Sequence, residues 1–405
     1  MPDFEHTWKR QLFLVWVAQF VCHIGFAFGL PFAPFYLLEL GVTEADRPFW
    51  VALFGASAPL AMMIFAPVWG ALADRFGRRK MLLRSYLGGV VAIGGMSLVT
   101  SPEMLIALRI LQGMFCGTVS AAQTLISTQT PEKHTGFALG ALHSAFFSGQ
   151  LAGAFLGGIV AEYCGYRISF VMSGILMGLA FLLVCFGVKE YFKPPEERFR
   201  FARIFQSLLP EKRDLLPVLP ILGLMAAVMY TRCFDMSFLP IFVEQINGSI
   251  EGASLKTGLI QALCSTAGVC SGFLLGYLSD RFPAGWIALI STAISGLFML
   301  ILSFSGSILF LAIFRFGMVF AGSGIDPALQ IWLSRRSRQE SRGLIFGFAA
   351  TCRSLGMTFA PLAAGLAVRI WDVRGLYVIG PIFYLAVIFM IYRVLRSQDT
   401  APVKG

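Results

Sequence analysis

Long apolar runs alternate with short polar breaks along the chain, and the breaks recur at nearly regular intervals. A helix needs about 20 consecutive apolar residues to cross a hydrocarbon layer about 30 Å thick, whereas a surface helix of a soluble protein interrupts its apolar positions every turn. The pattern predicts membrane-spanning helices near 12–38, 50–72, 81–100, 103–126, 136–160, 168–188, 216–243, 256–279, 285–304, 308–332, 343–368 and 375–395. The run after Trp8-Lys9-Arg10 continues almost unbroken to Leu38 and has no clear cleavage site, so it is expected to be the first span and not a signal peptide. The connections are too short to hold a soluble domain of ordinary size.

Composition agrees with this reading. Of 405 residues, 57% are hydrophobic and 13% charged, where a globular chain carries about 25% charge. The eight cysteines fall mostly inside apolar runs without CxxC or Cys/His spacing, which argues against a metal site or a disulfide framework. The net charge of +10 raises the question of nucleic acid, and the placement of the charge answers it. With the N-terminus inside, 23 of the 32 Lys and Arg residues fall on the cytoplasmic side, which is the positive-inside asymmetry of a membrane protein and no nucleic-acid footprint. Both termini are expected in the cytoplasm.

The chain also repeats itself. Gly70-Ala-Leu-Ala-Asp74-Arg75-Phe recurs as Gly276-Tyr-Leu-Ser-Asp280-Arg281-Phe, an offset of 206, and the same offset carries Pro34-Phe-Tyr36 onto Pro240-Ile-Phe242 and Arg109 onto Arg315. From the fifth span onward the offset is 207, matching Gly149 to Gly356 and Gly158 to Gly365. Two homologous six-helix halves follow, in the same orientation: 1–190, a cytoplasmic linker at 191–214, and 215–405. The linker is expected to hold a short amphipathic helix around Phe199 to Leu209.

Gly70-Ala-Leu-Ala-Asp74-Arg75-Phe-Gly77-Arg78-Arg79-Lys80 resembles the signature between helices two and three of the major facilitator superfamily. Arg109-Ile-Leu-Gln112-Gly113 resembles its fourth-helix motif, and Gly149 to Gly158 resembles the Gly-rich fifth-helix motif of its antiporters. Nearly the whole chain is similar to the twelve-span drug/proton antiporter branch, the bacterial multidrug efflux type. The resemblance implies an all-α membrane protein in which twelve transmembrane helices form two pseudo-symmetric six-helix bundles, working by alternating access in a bacterial inner membrane. It places Gly149, Gly153, Gly157 and Gly158 at the interface between the halves, against the eleventh helix. The family pattern has Pro where this chain has Ala154, and the second copy carries Pro361.

In physical terms Gly70 allows close helix approach, and Asp74 at a helix end can accept hydrogen bonds from a neighbouring helix N-terminus while pairing with Arg75 or Arg78. That makes Gly70, Asp74, Arg75, Gly77 and Arg78 a candidate conformational latch, with Asp280 and Arg281 as a weaker second copy, since Pro283-Ala284 stands where Gly-Arg should follow. Charges inside spans are costly and are functional candidates by default. They are Arg109, Arg232, Asp235, Arg315, Asp326 and Arg353, with His23 and His143 as titratable additions. Arg109, Asp235, Arg315, Asp326 and His23 are the candidates for proton coupling. Asp235 follows Arg232 by three residues and can neutralise it, and Asp326 lies at the depth of Arg353. A cavity lined, as the resemblance implies, by helices one, four, seven and ten takes in Gln19, His23, Phe26, Gln112, Gln123 and Tyr230.

The expected activity is proton-coupled export of a small amphipathic molecule, driven by the proton gradient without a bound cofactor and carried out by a monomer in the lipid bilayer. Four arginines against two aspartates inside the spans favour neutral, zwitterionic or anionic substrates. A dedicated carrier of an endogenous anion or siderophore is the rival within the class. A membrane enzyme lacks a catalytic constellation, and a transport-dead receptor lacks a signalling module.

Overall fold

A computed structural model describes residues 3–190, 212–279, 281–338 and 342–399. The expected linker helix, Asp280 and the side chain of Asp74 lie outside the described residues. Six segments long and apolar enough to cross a bilayer precede residue 190: Trp8–Glu39, Arg47–Gly70, Arg78–Leu98, Pro102–Gln129, Glu132–Cys164 and Tyr166–Gly187. After it come Gly285–Leu302 and Leu344–Arg396, with the shorter apolar helices Leu219–Cys233 and Ile308–Gly322. Leu344–Arg396 is two spans, because the helix Arg342–Asp399 is broken at Asp372, where φ is 66°. With Ala253–Ser279 as the eighth helix, the passages follow the order that hydropathy predicts.

The repeat is visible in the irregularities as well as in the helices. The first span breaks after Gly29 and the seventh after Cys233, the same place at an offset near 206. The fourth span passes from Pro102–Met114 to Thr118–Gln129 at Gly117, and the tenth from Ile308–Gly322 to Ile325–Arg336. Ser101 and Ser307 cap the starts of these spans, their hydroxyls accepting from the Met104 and Phe310 amides. Arg167 donates to the Ser97 carbonyl at 3.1 Å, and its counterpart Arg374 donates to the Ser305 carbonyl at 3.1 Å. The turn after the fifth helix uses Gly165 at φ 89°, and the turn after the eleventh uses Asp372 in its place.

Among lipid tails, helices associate through close packing, so small residues decide which helices touch. A Cβ at Gly149 would stand 2.6 Å from the Phe20 carbonyl oxygen, and one at Gly153 2.5 Å from that of Ile24. Gly157 meets Phe28 in the same way. The glycine stripe of the fifth helix therefore seats the first helix, correcting the expectation that it packs on the eleventh. Gly158 alone faces elsewhere, toward Gly258 and Ser254 of the eighth helix. Gly356 repeats the arrangement against Ala226 of the seventh helix, and Pro361 lies against Gly55 of the second.

The chain forms two compact units, Met1–Thr43 with Leu60–Ile204 and Ile250–Thr266, and Glu44–Pro59 with Phe205–Ser249 and Ala267–Gly405. In the first, Phe32 and Phe35 pack with Ala161 and Ala253. In the second, Leu224, Leu329, Ala349 and Ile391 join the seventh, tenth, eleventh and twelfth helices in one core. Outward faces are apolar too: Val378, Ile382, Leu385, Phe389 and Tyr392 form an exposed row along the twelfth helix, a surface suited to hydrocarbon and not to water.

Candidate functional site

The seventh helix is interrupted over residues 234–238, and Asp235 sits in that interruption. Its side chain is fully buried and accepts a hydrogen bond from Arg315 of the tenth helix, forming an ion pair in which the arginine is also almost entirely buried. The other carboxylate oxygen, Oδ1, is buried without a hydrogen-bond partner among the described residues. Tyr384 of the twelfth helix, also buried, shares the electrostatic field of Asp235, Arg232 and Arg315. Asp235 thus pairs with Arg315, not with Arg232 as the three-residue spacing suggested, because the break turns the carboxylate inward. At the matching position of the first repeat stands Gly29, so this pair exists on one side only.

Asp326 opens the second segment of the tenth helix, where the helix dipole favours a carboxylate. It accepts from Gln330 at 3.1 Å and meets Arg353 at 4.0 Å, each side chain about a quarter exposed. The pairing expected from depth is therefore present, in looser form than Asp235–Arg315.

In the first unit Arg109, half-buried, donates to Gln112 Oε1 at 2.6 Å. Gln19 and His23 are both buried. Gln19 is 2% exposed and ties the first helix to Tyr86 Oη and the Thr118 carbonyl, both at 3.0 Å. His23 is 3% exposed, packed edge-on against Phe146 and beside Phe26, and neither of its ring nitrogens has a hydrogen-bond partner among the described residues. The glycine groove explains both positions, since close approach of the fifth helix turns that face of the first helix inward. Gln123 does face outward, 3.3 Å from His143. Around it Ser120, Thr124, Thr128 and Ser144 are exposed, and Ser144 accepts from Trp16 Nε1 at 3.1 Å, with the Trp16 ring stacked on Phe20. In the second unit Tyr230 contacts two rings, Phe234 in a tilted arrangement and Phe383 edge-on.

The family profile described as the Major Facilitator Superfamily matches residues 15–283 and 224–405. The chain belongs to the Major Facilitator Superfamily. It is 30% identical over 360 residues to the multi-drug resistance efflux pump PmrA homolog of Lactococcus lactis subsp. lactis (strain IL1403), covering 88% of this chain and 87% of that one. It is also 30% identical over 405 residues to the multidrug resistance protein MdtG of Yersinia enterocolitica, covering 98% and 95%. Among solved structures, the human organic anion transporter MFSD10 superposes with a TM-score of 0.72 at 16% identity, covering 95% of this chain and 99% of that one. A point mutant of the nucleoside transporter NupG gives 0.76 at 12%, with the same coverage. At these identities the structures establish the fold. A member of this superfamily is a membrane transporter and not an enzyme.

Part of the superfamily signature between helices two and three lies among the described residues. Gly70 is exposed, and a Cβ there would meet nothing within 4 Å among the described residues. Gly77, at φ 93°, separates Arg47–Phe76 from Arg78–Gly89. The carboxylate at the N-terminus of the third helix is Glu190, whose two oxygens accept from the Arg78 and Arg79 amides at 2.9 Å each. Neither the motif nor its spacing reveals this carboxylate. Arg75 lies beside the Phe76 ring, and Arg281 is exposed. Two further sites lacked a sequence signal. Arg84 lies 3.6 Å over the Trp69 ring and donates to the Cys116 carbonyl at the fourth-helix break, where Trp69 Nε1 donates to the Met114 carbonyl at 2.6 Å. Arg47, 2% exposed, joins Glu244 at 2.6 Å and Glu44 at 3.2 Å.

Proposed function

We propose that this transporter exports small amphipathic, drug-type molecules in exchange for protons, with Asp235 as the protonation site and Arg315 as its counter-charge. The observation that carries the reading is the buried carboxylate paired on one oxygen only, at a break in a membrane helix. Broken helices are where transporters build ion and substrate sites. A proton on Oδ1 cancels the carboxylate charge and leaves the Arg315 guanidinium without its counter-ion in a low-dielectric site, which favours any arrangement that gives the arginine water or a new partner. The turn at 234–238 can absorb that movement.

The drug-type substrate class comes from the names of the PmrA and MdtG relatives. The polar face of half-buried Gln123 with exposed His143, Ser144 and Thr124 supports it, since polar side chains at membrane depth belong on an aqueous path. Arg109 on the same helix is assigned to that path, and in the second unit Asp326 with Arg353 forms a more accessible ionic site than Asp235 with Arg315. Neutral, zwitterionic and anionic amphiphiles are favoured over dications. The working unit is a monomer in a bacterial cytoplasmic membrane, with both termini in the cytoplasm.

Proteoliposomes with an imposed pH gradient test the reading. Wild type should accumulate a fluorescent amphiphile against its gradient, and accumulation should collapse on adding a protonophore. Accumulation that ignores the protonophore refutes proton exchange.

A further inference from the structure

A groove of ≈ 300 Å³ opens on the second unit among the seventh, eleventh and twelfth helices. Ala226 and Ala227 form its floor with Tyr230, and Phe359, Ala386 and Met390 stand along its walls. No polar surface lines it. The internal repeat shows that this opening is particular to one half. At an offset of 206, Phe20 and Val21 stand where Ala226 and Ala227 do, and at 207 Leu179 stands for Ala386. Three side chains shrink to methyl groups in the second half alone.

The helix faces that flank the groove are apolar and exposed, as faces suited to hydrocarbon are. Phe359, Leu362 and Leu366 form an exposed row on the eleventh helix, and Ile382, Leu385 and Phe389 form one on the twelfth. Water could not occupy a cleft without polar partners, and an open apolar cleft at this depth is bathed in lipid tails. The cleft also has a direction. The row Phe383, Ala386, Met390 continues one turn to Arg393, which is exposed and lies 4.9 Å from the Phe389 ring. Exposed Tyr392 beside it marks the membrane interface. Gly223, exposed and with open space among the described residues where a Cβ would be, extends the floor toward the same end. From Phe383 to Arg393 is about 15 Å at about 1.5 Å per residue, half of a hydrocarbon core of about 30 Å and so the reach of one leaflet's acyl chains.

We infer that this groove binds one anionic phospholipid, with an acyl chain along Ala226, Ala227 and Ala386 and the phosphate at Arg393. A guanidinium at the membrane edge is a strong, geometrically specific partner for a phosphate. The bound chain lies against Tyr230, whose ring contacts Phe234 next to the helix break, so the lipid braces the segment that carries Asp235.

Native mass spectrometry of the full chain, released from mild detergent, tests this without reading transport, so its failure is separate from failure of the proton reading. Wild type should retain one phosphatidylglycerol and, after delipidation, rebind it at least several-fold more tightly than phosphatidylethanolamine with the same chains. Ala227→Val with Ala386→Leu, the residues of the first repeat, should lower affinity for both lipids at least tenfold. Arg393→Gln should still bind one lipid and lose the preference for phosphatidylglycerol. Unfolding of each delipidated variant checks the fold, and Ala386→Leu alone replaces the pair if the pair does not fold. Equal affinity for the two lipids in wild type, unchanged binding in the filled variant, or a broad distribution of lipids identical in all variants overturns the proposal. So does retention of an amphiphilic dye at the groove in place of phosphatidylglycerol.

Discussion

Asp235→Asn preserves the size of the side chain and removes its charge. In the native protein the carboxylate and the Arg315 guanidinium offset each other where one is fully buried and the other nearly so. Removing one member of such a pair costs about 3–5 kcal/mol, because the survivor remains as an uncompensated charge, whereas replacing both by neutral groups is often close to neutral. Asp235→Asn and Arg315→Gln are each expected to lose about 3 kcal/mol of stability. The double variant should lie within about 1 kcal/mol of wild type, which gives a coupling of several kcal/mol in the double-mutant cycle. Denaturant titration in detergent measures the three values. The same proteins in proteoliposomes separate stability from mechanism: the double variant should be stable and should equilibrate substrate, yet fail to accumulate it against a gradient. Additive single effects, with coupling below about 0.5 kcal/mol, would show that the pair is energetically idle. Proton-driven accumulation by Asp235→Asn equal to wild type at matched expression would remove Asp235 from the proton path.

Other outcomes follow from single contacts. His23→Leu removes two buried polar atoms that lack partners among the described residues and should stabilise the protein by about 1–3 kcal/mol with transport retained; lost gradient-driven transport in a folded variant would restore His23 as a proton carrier. Glu190→Gln keeps the cap geometry and loses its charge at the third-helix N-terminus, a loss of about 0.5–2 kcal/mol measured by denaturant titration, and Glu190→Ala should cost more. Arg109→Ala should abolish accumulation while Arg109→Lys keeps part of it, because charge survives but the planar donor fork does not; equal transport by Ala and wild type refutes the role. Competition among dyes that share one scaffold and differ in charge should show the dication binding most weakly.

The spans, the duplication and the superfamily were legible because each rests on a signal that sequence carries directly: apolar run length, a constant offset, and a motif of fixed composition. The contacts were less so. Gly149, Gly153 and Gly157 announce that something packs closely on the fifth helix without saying what, and the partner turned out to be the first helix. Spacing made Arg232 the obvious partner for Asp235, since a continuous helix places residues three apart on one face. The helix is not continuous there, and Arg315, eighty residues away, takes the carboxylate instead. Glu190 lay just beyond the sixth span among the charges of the connector, where nothing in composition separates a cap from a solvated carboxylate.

The two repeats agree at positions that build the scaffold and part company at positions that carry chemistry. Ser101 and Ser307 cap equivalent helices, and Arg167 and Arg374 hold equivalent carbonyls, because both halves face the same problem of ending a helix near the membrane edge. Gly29 and Asp235 occupy one structural position, the break of the first or seventh helix, and differ completely in what they can do there. A carboxylate at Gly29 could not be accommodated, since even a Cβ would stand 2.9 Å from the Phe170 ring. Arg109 and Arg315 are likewise equivalent, yet one is held by an amide and the other by a carboxylate. Under the proposed proton exchange, the second half titrates while the first keeps its charge fixed. The replacement of Gly29 by Asp235 across an otherwise conserved geometry supplies that difference, and it predicts that exchanging the arginine partners, Gln112→Asp with Asp235→Asn, will not move the proton site to the first half. Proton-driven accumulation by that double variant in proteoliposomes, equal to wild type at matched expression, would show the two positions to be interchangeable and refute the asymmetry.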